Sequence, residues 1–370
     1  MKIGLISFHN AANHGASLQA YALEKFLELN GFNCEYIDYQ NEMRRRSYDM
    51  GYMIKSSLIE RRYKDMLKYI LGAPLLSLRK KSFSIFYKKF LKYSEKTYYT
   101  PEQLQETNEV YDVFISGSDQ IWNPHHNGND VSYLLSFVKD NKPTISYSSS
   151  LSVISIPNDL KADYIRCLNK ICHLSTREMS GVKLINELTG RDAKLVLDPV
   201  FLLGKEDWLD ILKKNVYNYR FVFSDTNRAD QISQFVKYTG YPLAQIKHHK
   251  LSRYTTLSDF LNPKVKVEYT LSPLEYVQNI LESELVLSAS FHCTAFAIIM
   301  NTPFVCFLTN DEGKDERLKS LLSHFGLEDR IFTDKMTTDD VMKPIDWQNV
   351  NSLLNNKRKD SMEFLLNSLK

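Results

Sequence analysis

Residues 1–40, MKIGLISFHNAANHGASLQAYALEKFLELNGFNCEYIDYQ, decide the fold class. Ile3 to Phe8 is mostly apolar and reads as a buried strand, ending at His9-Asn10. Asn10 to Ser17 reads as a loop. Leu18, Tyr21, Ala22, Leu23, Phe26 and Leu27 then recur at helical spacing up to Leu29, and Gly31 follows as a stop. Cys34 to Tyr39 reads as a second strand. Strand, helix and strand in this order imply a parallel sheet with helices on its faces.

The same grammar runs on through the chain. Val110–Ser116, Thr144–Ser148, Ile171–Thr176 and Ala193–Leu197 read as strands, with a helix from about Ser180 to Leu188 stopped by Gly190. Later come strands at Phe221–Ser224, Leu243–Lys247, Leu285–Ala289 and Pro303–Leu308. They alternate with helices at Ala229–Tyr238, about Pro273–Glu282, Ser290–Met300 and Asp315–Phe325. Ser272-Pro273 is a helix start, Ser as cap and Pro at the first position. At roughly 150 residues per domain, 370 residues suggest two. The expected architecture is α/β, two Rossmann-like doubly wound domains facing a cleft: residues 1–205, residues 206–350, and a C-terminal helix over 351–370.

Residues 41–100 break the pattern. They hold 15 Lys/Arg against 5 Asp/Glu, and eight Tyr. The whole chain is +3, so the local +10 leaves about −7 elsewhere. This segment reads as helices inserted into the first domain. Its charge fits a solvated helical face or a surface for an anionic lipid-linked substrate or membrane headgroups, hence peripheral membrane contact. No recognition motif accompanies the charge, so no nucleic-acid partner is expected.

Composition narrows the classes further. Hydrophobic residues at 43% and only 13 Gly and 11 Pro exclude disorder and collagen-like repeats. The apolar start is too short for a signal sequence, and no stretch of about 18 apolar residues is unbroken. Five Cys (34, 167, 172, 293, 306) without a CxxC pair fit a reducing cytosol. The expected place is cytoplasmic, at the inner face of a membrane where the basic segment touches it. Cys167, Cys172 and His173 come closest to metal-ligand spacing, but Cys172 and His173 lie in an apolar run, so no metal is expected.

Candidate functional residues follow the strands. Asn13, His14 and Gly15 sit in a strand-to-helix turn, a natural ligand edge. Gly117-Ser118-Asp119-Gln120-Ile121-Trp122-Asn123-Pro124 packs polar groups directly after a strand. Asp119 can take a proton from a hydroxyl, while Ser118, Gln120 and Asn123 can orient one. Trp122 is either a sugar-stacking face or a core plug. Arg177 closes a strand and meets either a planar anion or an internal partner, Glu178 or Asp198. Ser290-Phe291-His292-Cys293-Thr294 opens a helix, where free N–H groups and the dipole favour phosphate. His292 suits a general acid, with Ser290 and Thr294 as hydroxyl donors.

Together these stretches resemble the polysaccharide pyruvyl transferase family. The matches are Asn13-His14-Gly15 with Leu18 to Leu23, Gly117 to Pro124, Ile145 to Ser150, Arg177-Glu178, Leu197-Asp198-Pro199 with Leu202-Leu203, and Ser290-Phe291-His292-x-Thr294-Ala295-Phe296. Cys293 stands where the family usually has Gly, and Ala289 where it often has an acid. The resemblance implies a fold like the type B glycosyltransferases. It also implies transfer of a pyruvyl group from phosphoenolpyruvate to two hydroxyls of a sugar in a surface polysaccharide or lipid-linked precursor, giving a cyclic ketal. In this picture Arg177 holds the donor carboxylate, and Ser290, His292 and Thr294 hold its phosphate from the C-terminal domain. Asp119 helps the acceptor hydroxyl in the N-terminal one, and no cofactor is needed. A nucleotide-sugar glycosyltransferase of the same architecture and a non-catalytic sugar-binding protein are the alternatives.

Overall fold

The computed structural model describes residues 1–128, 130–212, 221–226, 229–242, 246–248, 265–309 and 311–370. The chain divides into two compact units, residues 1–202 with 358–370, and residues 203–357. Residues 243–245 of one expected strand, and residues 213–218 near the expected boundary, lie outside the described residues.

In the first unit five parallel strands stand in the order β3-β2-β1-β4-β5. They are β1 (Lys2–Ile6), β2 (Asn33–Tyr39), β3 (Tyr93–Tyr98), β4 (Val113–Ser116) and β5 (Thr144–Ser146). A short parallel pair, β6 (Ser175–Thr176) and β7 (Lys194–Leu195), continues past β5 through the bridges Ile145–His173 and Ser149–Thr176. The order reverses between β1 and β4, so the loops leaving those two strands flank a crevice at their carboxyl ends. The close fit of this sheet shows at Gly4, where a Cβ would lie 2.9 Å from the Tyr111 ring.

Helix α1 (His14–Leu29) starts four residues before its apolar periodicity does. Asn13 caps it, Oδ1 accepting from Ala16 N–H at 3.1 Å. The first turn is buried on every side, so packing overrides the weak propensity of Gly15 and Ser17. Gln19 Nε2 donates to Ser7 Oγ (3.0 Å), and Ser7 Oγ donates to the Ser118 carbonyl (3.0 Å). The loops after β1 and β4 are thereby held together.

Glu24 of α1 is 3% exposed. Oε1 accepts from Lys92 N–H at 2.9 Å, while Oε2 meets no partner among the described residues. Burial pushes this carboxyl up to about 8. The folded protein therefore holds a proton here that the unfolded chain releases from about pH 4.5 upward. The contribution is fully present below that value and is lost as pH rises toward about 8. Glu24→Gln should melt close to the parent at pH 5 and several degrees above it at pH 8, at roughly 2–4 °C per kcal/mol for a unit the size of residues 1–202 with 358–370. Equal melting differences at the two pH values would rule this out.

Between β2 and β3 run α2 (Glu42–Tyr48), α3 (Met50–Ile59) and α4 (Tyr63–Phe90). The insertion thus stops before residue 93, because Tyr93–Tyr98 is an edge strand of the sheet. The carboxyl half of α4 returns to the body of the unit. Phe83, Phe86 and Tyr87 are buried, and Phe83 and Phe86 pack on His14 and Tyr21 of α1. Trp122 is fully buried, its Nε1 donating to the Tyr133 carbonyl (2.9 Å) and Ser116 Oγ (3.1 Å). It is a core plug and offers no face to a sugar.

The second unit repeats the topology. Parallel strands β8 (Val222–Asp225), β9 (Ile246–His248), β10 (Val265–Val267), β11 (Leu285–Ser288) and β12 (Phe304–Cys306) stand in the order β10-β9-β8-β11-β12. Val222, Leu285, Leu287, Val305 and Phe307 form its core with Phe235 and Met336. The helix Pro273–Glu282 opens on a full capping box between Ser272 and Glu275. The last helix, Trp347–Asn367, ends in the first unit: Ser361 Oγ accepts from Leu197 N–H (3.0 Å) and Arg358 Nε donates to the Phe201 carbonyl (2.5 Å).

Candidate active-site groups at the strand ends

In the first unit the loops after β4, β5 and β6 converge. Asp119 adopts φ +76° and bridges Ser149, with Ser150 N–H donating to its carbonyl at 3.0 Å. Ser148 (φ +58°) and Ser152 (φ +49°) adopt left-handed backbone in the adjoining loop. Three of the six non-glycine residues with positive φ among the described residues therefore sit at one sheet edge. Such strain persists where surrounding structure over-determines it, and it concentrates at functional sites.

Arg177 lies behind that edge with its side chain 1% exposed. Nη1 donates to Asp198 Oδ2 at 2.6 Å, Nη2 to Asp119 Oδ1 at 3.3 Å, and Nε lies 3.7 Å from Glu178 Oε2. Burial alone would draw the pKa of this guanidinium down, but Asp198, Asp119 and Glu178 outweigh it and hold the group raised and charged. The carboxylates are themselves pinned. Asp198 accepts from Ser118 Oγ (2.9 Å) and Val200 N–H (3.2 Å), and Glu178 Oε1 accepts from Leu151 and Ser152 N–H (3.0 and 3.3 Å). Arg177 is thus enclosed by three acids of its own unit and presents no free fork to a ligand. The expectation that it grips a donor carboxylate is corrected: its contacts orient Asp119. Asp119 is the member of this set that reaches solvent, with 17% of its side chain exposed.

The other first-unit residues divide. Ser118 is fully buried and braces Asp198, with Ser148 Oγ also at 3.3 Å. Asn123 caps the short helix Pro124–Asn127 and bonds Ser152, so its amide is committed to structure. Gln120 is half-buried and meets His126 Nε2 at 2.9 Å. Asn13 caps the helix through Oδ1 while the residue itself is exposed, whereas His14 is buried against Phe83 and Gly15 is buried beside it, so of the three only Asn13 reaches solvent. Asn10 and Ala12 of the same loop instead line a cavity of about 520 Å³. Four cations (Arg44, Arg45, Lys80, Lys88) and two acids (Asp38, Asp49) share its walls. Asp38 is drawn up by burial but held below its usual range by hydrogen bonds from His9, Thr97 and Gln40. His9, which ends the β1 run, is fully buried with Nε2 3.5 Å from Asp38. Sequence reasoning passed over this pair, although both residues obey the same strand-end rule.

In the second unit, β11 delivers Ser288 and Ser290 to the helix Phe291–Met300. Ser290 Oγ caps it from Cys293 N–H at 3.5 Å. Thr294 Oγ1 is fully buried and spent on Ser288 Oγ and the Ser290 carbonyl, both at 3.0 Å, so it is no phosphate donor. His292 is 8% exposed, beside the half-buried Phe291 (ring centroids 5.3 Å apart). Ser290, the first-turn N–H groups and His292 remain the groups placed for an anion there. Cys293 is fully buried. A pair missed in the sequence, Tyr276 and Asp225, joins Cys293 behind this turn: Tyr276 OH donates to Asp225 Oδ2 at 2.6 Å, and burial, Asp225 and Cys293 together push that hydroxyl up. Asp225 stands at the carboxyl end of β8, the position that strand-end reasoning singles out.

Solved structures share this fold. The UDP-GlcNAc 2-epimerase of Methanocaldococcus jannaschii, in complex with UDP-GlcNAc and UDP, is 14% identical with a TM-score of 0.52, covering 100% of this chain and 99% of that one. The enzyme of Neisseria meningitidis bound to UDP-GlcNAc is 11% identical with a TM-score of 0.51, covering 100% and 99%. A putative enzyme of the same kind from Listeria monocytogenes is 10% identical with a TM-score of 0.52, covering 98% and 90%. At such identities the likeness speaks for the fold alone. No curated protein matches the chain. The family model described as polysaccharide pyruvyl transferase matches residues 13–311, which take in the loops after β4, β5, β6, β8 and β11. The chain therefore belongs to the polysaccharide pyruvyl transferase family.

Proposed function

We propose that this protein transfers the pyruvyl group of phosphoenolpyruvate to two hydroxyls of one sugar in a surface polysaccharide or its lipid-linked precursor, forming a cyclic ketal. The observation that carries this assignment within the family is Asp119. It is a partly exposed carboxylate, set at a strained strand end and aimed by a buried arginine. That is the arrangement a general base for a sugar hydroxyl needs.

The chemistry balances without oxidation or reduction. A general acid, assigned to His292, gives a proton to the methylene carbon of phosphoenolpyruvate, making the methyl group and leaving C2 electrophilic. The first sugar hydroxyl adds to C2 and loses its proton to Asp119. The C2–O bond to phosphate breaks, with the bonding pair leaving on phosphate. The second hydroxyl then adds to C2 and gives its proton to the released phosphate, closing the ketal. The first turn of Phe291–Met300 with Ser290 is assigned to the phosphate, where the helix dipole favours negative charge. The cation-rich cavity beside β1 and β2 is assigned to the acceptor side, in keeping with an anionic glycan carrier.

Thermal unfolding with millimolar phosphoenolpyruvate, inorganic phosphate and UDP-sugars tests the donor. A ligand at 100 times its dissociation constant stabilises the folded state by about 2.7 kcal/mol, a readable shift. The expected result is a larger shift with phosphoenolpyruvate than with phosphate, and none with UDP-sugars. A shift with a UDP-sugar alone overturns the assignment in favour of glycosyl transfer.

A further inference from the structure

Helix α4 is anchored at one end and bare at the other. Met66 to Leu78 reads MLKYILGAPLLSL, with Lys68 as its one charge. Leu67, Ile70, Leu71, Leu75 and Leu78 are all exposed, Leu71 at 72%. Leu58 and Ile59 at the end of α3 add to the same end of the hairpin, Ile59 at 70%. Eleven of the twenty large apolar side chains exposed among the described residues fall between Met43 and Ile85. Exposed apolar groups gathered in this way mark an interaction surface.

The surrounding charge selects the occupant. Arg61, Arg62 and Lys64 precede the apolar run, and Arg79, Lys80 and Lys81 follow it. Asp65 is the one acid within that span, and it is held by Arg62 at 2.9 Å. A second copy of the chain laid along the run, parallel or antiparallel, would set basic ends against basic ends. An anionic bilayer satisfies both ends at once. Thirteen residues give about 20 Å of helix, short of the ~20 residues that span a bilayer. No described helix is long and apolar enough to cross a membrane. A short apolar run with basic flanks suits the headgroup layer, with lysine and arginine stems reaching back to the phosphates.

We propose that the α3–α4 hairpin, through Leu58 to Lys81, docks the protein peripherally on an anionic lipid bilayer. The docking deepens the function proposed above and rests on it for its purpose: a lipid-linked acceptor lies in the surface the hairpin binds. Lys80, which lines the cationic cavity, follows Leu71 by roughly 14 Å along the same helix.

The test sediments the full chain with vesicles of phosphatidylcholine alone, or of phosphatidylcholine with phosphatidylglycerol. Binding is expected with the anionic vesicles only, weakening as salt is added. An Ile70→Glu/Leu71→Glu variant should bind about tenfold more weakly per replaced side chain and melt like the parent, since both side chains are exposed. Lys64→Glu/Lys81→Glu should also bind more weakly. Failure to bind anionic vesicles overturns the proposal, as does binding that the Ile70/Leu71 variant retains. A concentration-dependent dimer that this variant abolishes, without vesicle binding, assigns the surface to a second copy instead. Vesicle binding is read without phosphoenolpyruvate or acceptor, so its failure leaves pyruvyl transfer standing. A failed phosphoenolpyruvate shift likewise leaves the docking standing.

Discussion

Asp119→Asn is expected to lower kcat by about 10²–10⁴-fold while leaving the melting temperature close to the parent's. Asparagine tolerates left-handed backbone at least as well as aspartate, so the φ of +76° is kept. Its amide oxygen can still accept from Arg177 Nη2, now 3.3 Å from Asp119 Oδ1. What disappears is the capacity to take a proton. KM for phosphoenolpyruvate should change little, because Asp119 is assigned to the acceptor. The magnitude is what one positioned acid–base group contributes, and His292→Ala should cost a similar factor from the donor side. If Asp119→Asn turned over at the parent's rate, the base would lie elsewhere and the strained edge would be structural. If instead Asp119→Asn melted far below the parent, the carboxylate's main duty would be to neutralise Arg177.

The contrast between Asp119 and Arg177 marks where sequence reasoning stops. Apolar runs such as Ile3–Phe8, Leu285–Ala289 and Pro303–Leu308 announce buried strands because both faces of a covered parallel sheet are apolar. The strand-end rule then locates Asp119, Arg177 and Ser290–His292 with no further information. β3 escapes because Tyr-Ser-Glu-Lys-Thr-Tyr is an edge strand with exposed polar positions, lying in a basic segment that reads as helical. The start of α1 escapes because Gly15 and Ser17 have low helix propensity, and only the packing around them makes the turn helical. The direction in which a polar side chain faces escapes for a related reason. Thr294 reads as a phosphate donor, yet its hydroxyl is spent on Ser288 and the Ser290 carbonyl. Asp198 is open to reading as an internal partner of Arg177, but Ser118 is 80 residues from Asp198, a separation that no local spacing encodes. The α4 apolar run, by contrast, is open to reading from its composition. Its exposure is what the structure adds.

Arg177→Met should destabilise the protein by about 3–5 kcal/mol, the range found when one partner of a buried ion set is removed. Methionine matches the length of the stem but leaves Asp119, Asp198 and Glu178 facing one another at a site where the cation's side chain is 1% exposed. At roughly 2–4 °C per kcal/mol this amounts to a fall of about 6–20 °C in Tm. The sign of its pH dependence follows from the charges left behind. Three uncompensated carboxylates repel, and protonating one relieves the repulsion. The deficit against the parent should therefore shrink as pH falls toward the ordinary carboxylate range near 4, and widen as pH rises. Arg177→Lys should recover only part of the loss, because an ammonium cannot reach Asp198, Asp119 and Glu178 at once as the guanidinium does. Adding Asp198→Asn to Arg177→Met should cost less than the sum of the two single changes, since each removes a reason for the other. Calorimetry across pH separates this positioning role from ligand binding. If Arg177 instead held the donor carboxylate, Arg177→Lys would melt with the parent at every pH and raise KM for phosphoenolpyruvate alone.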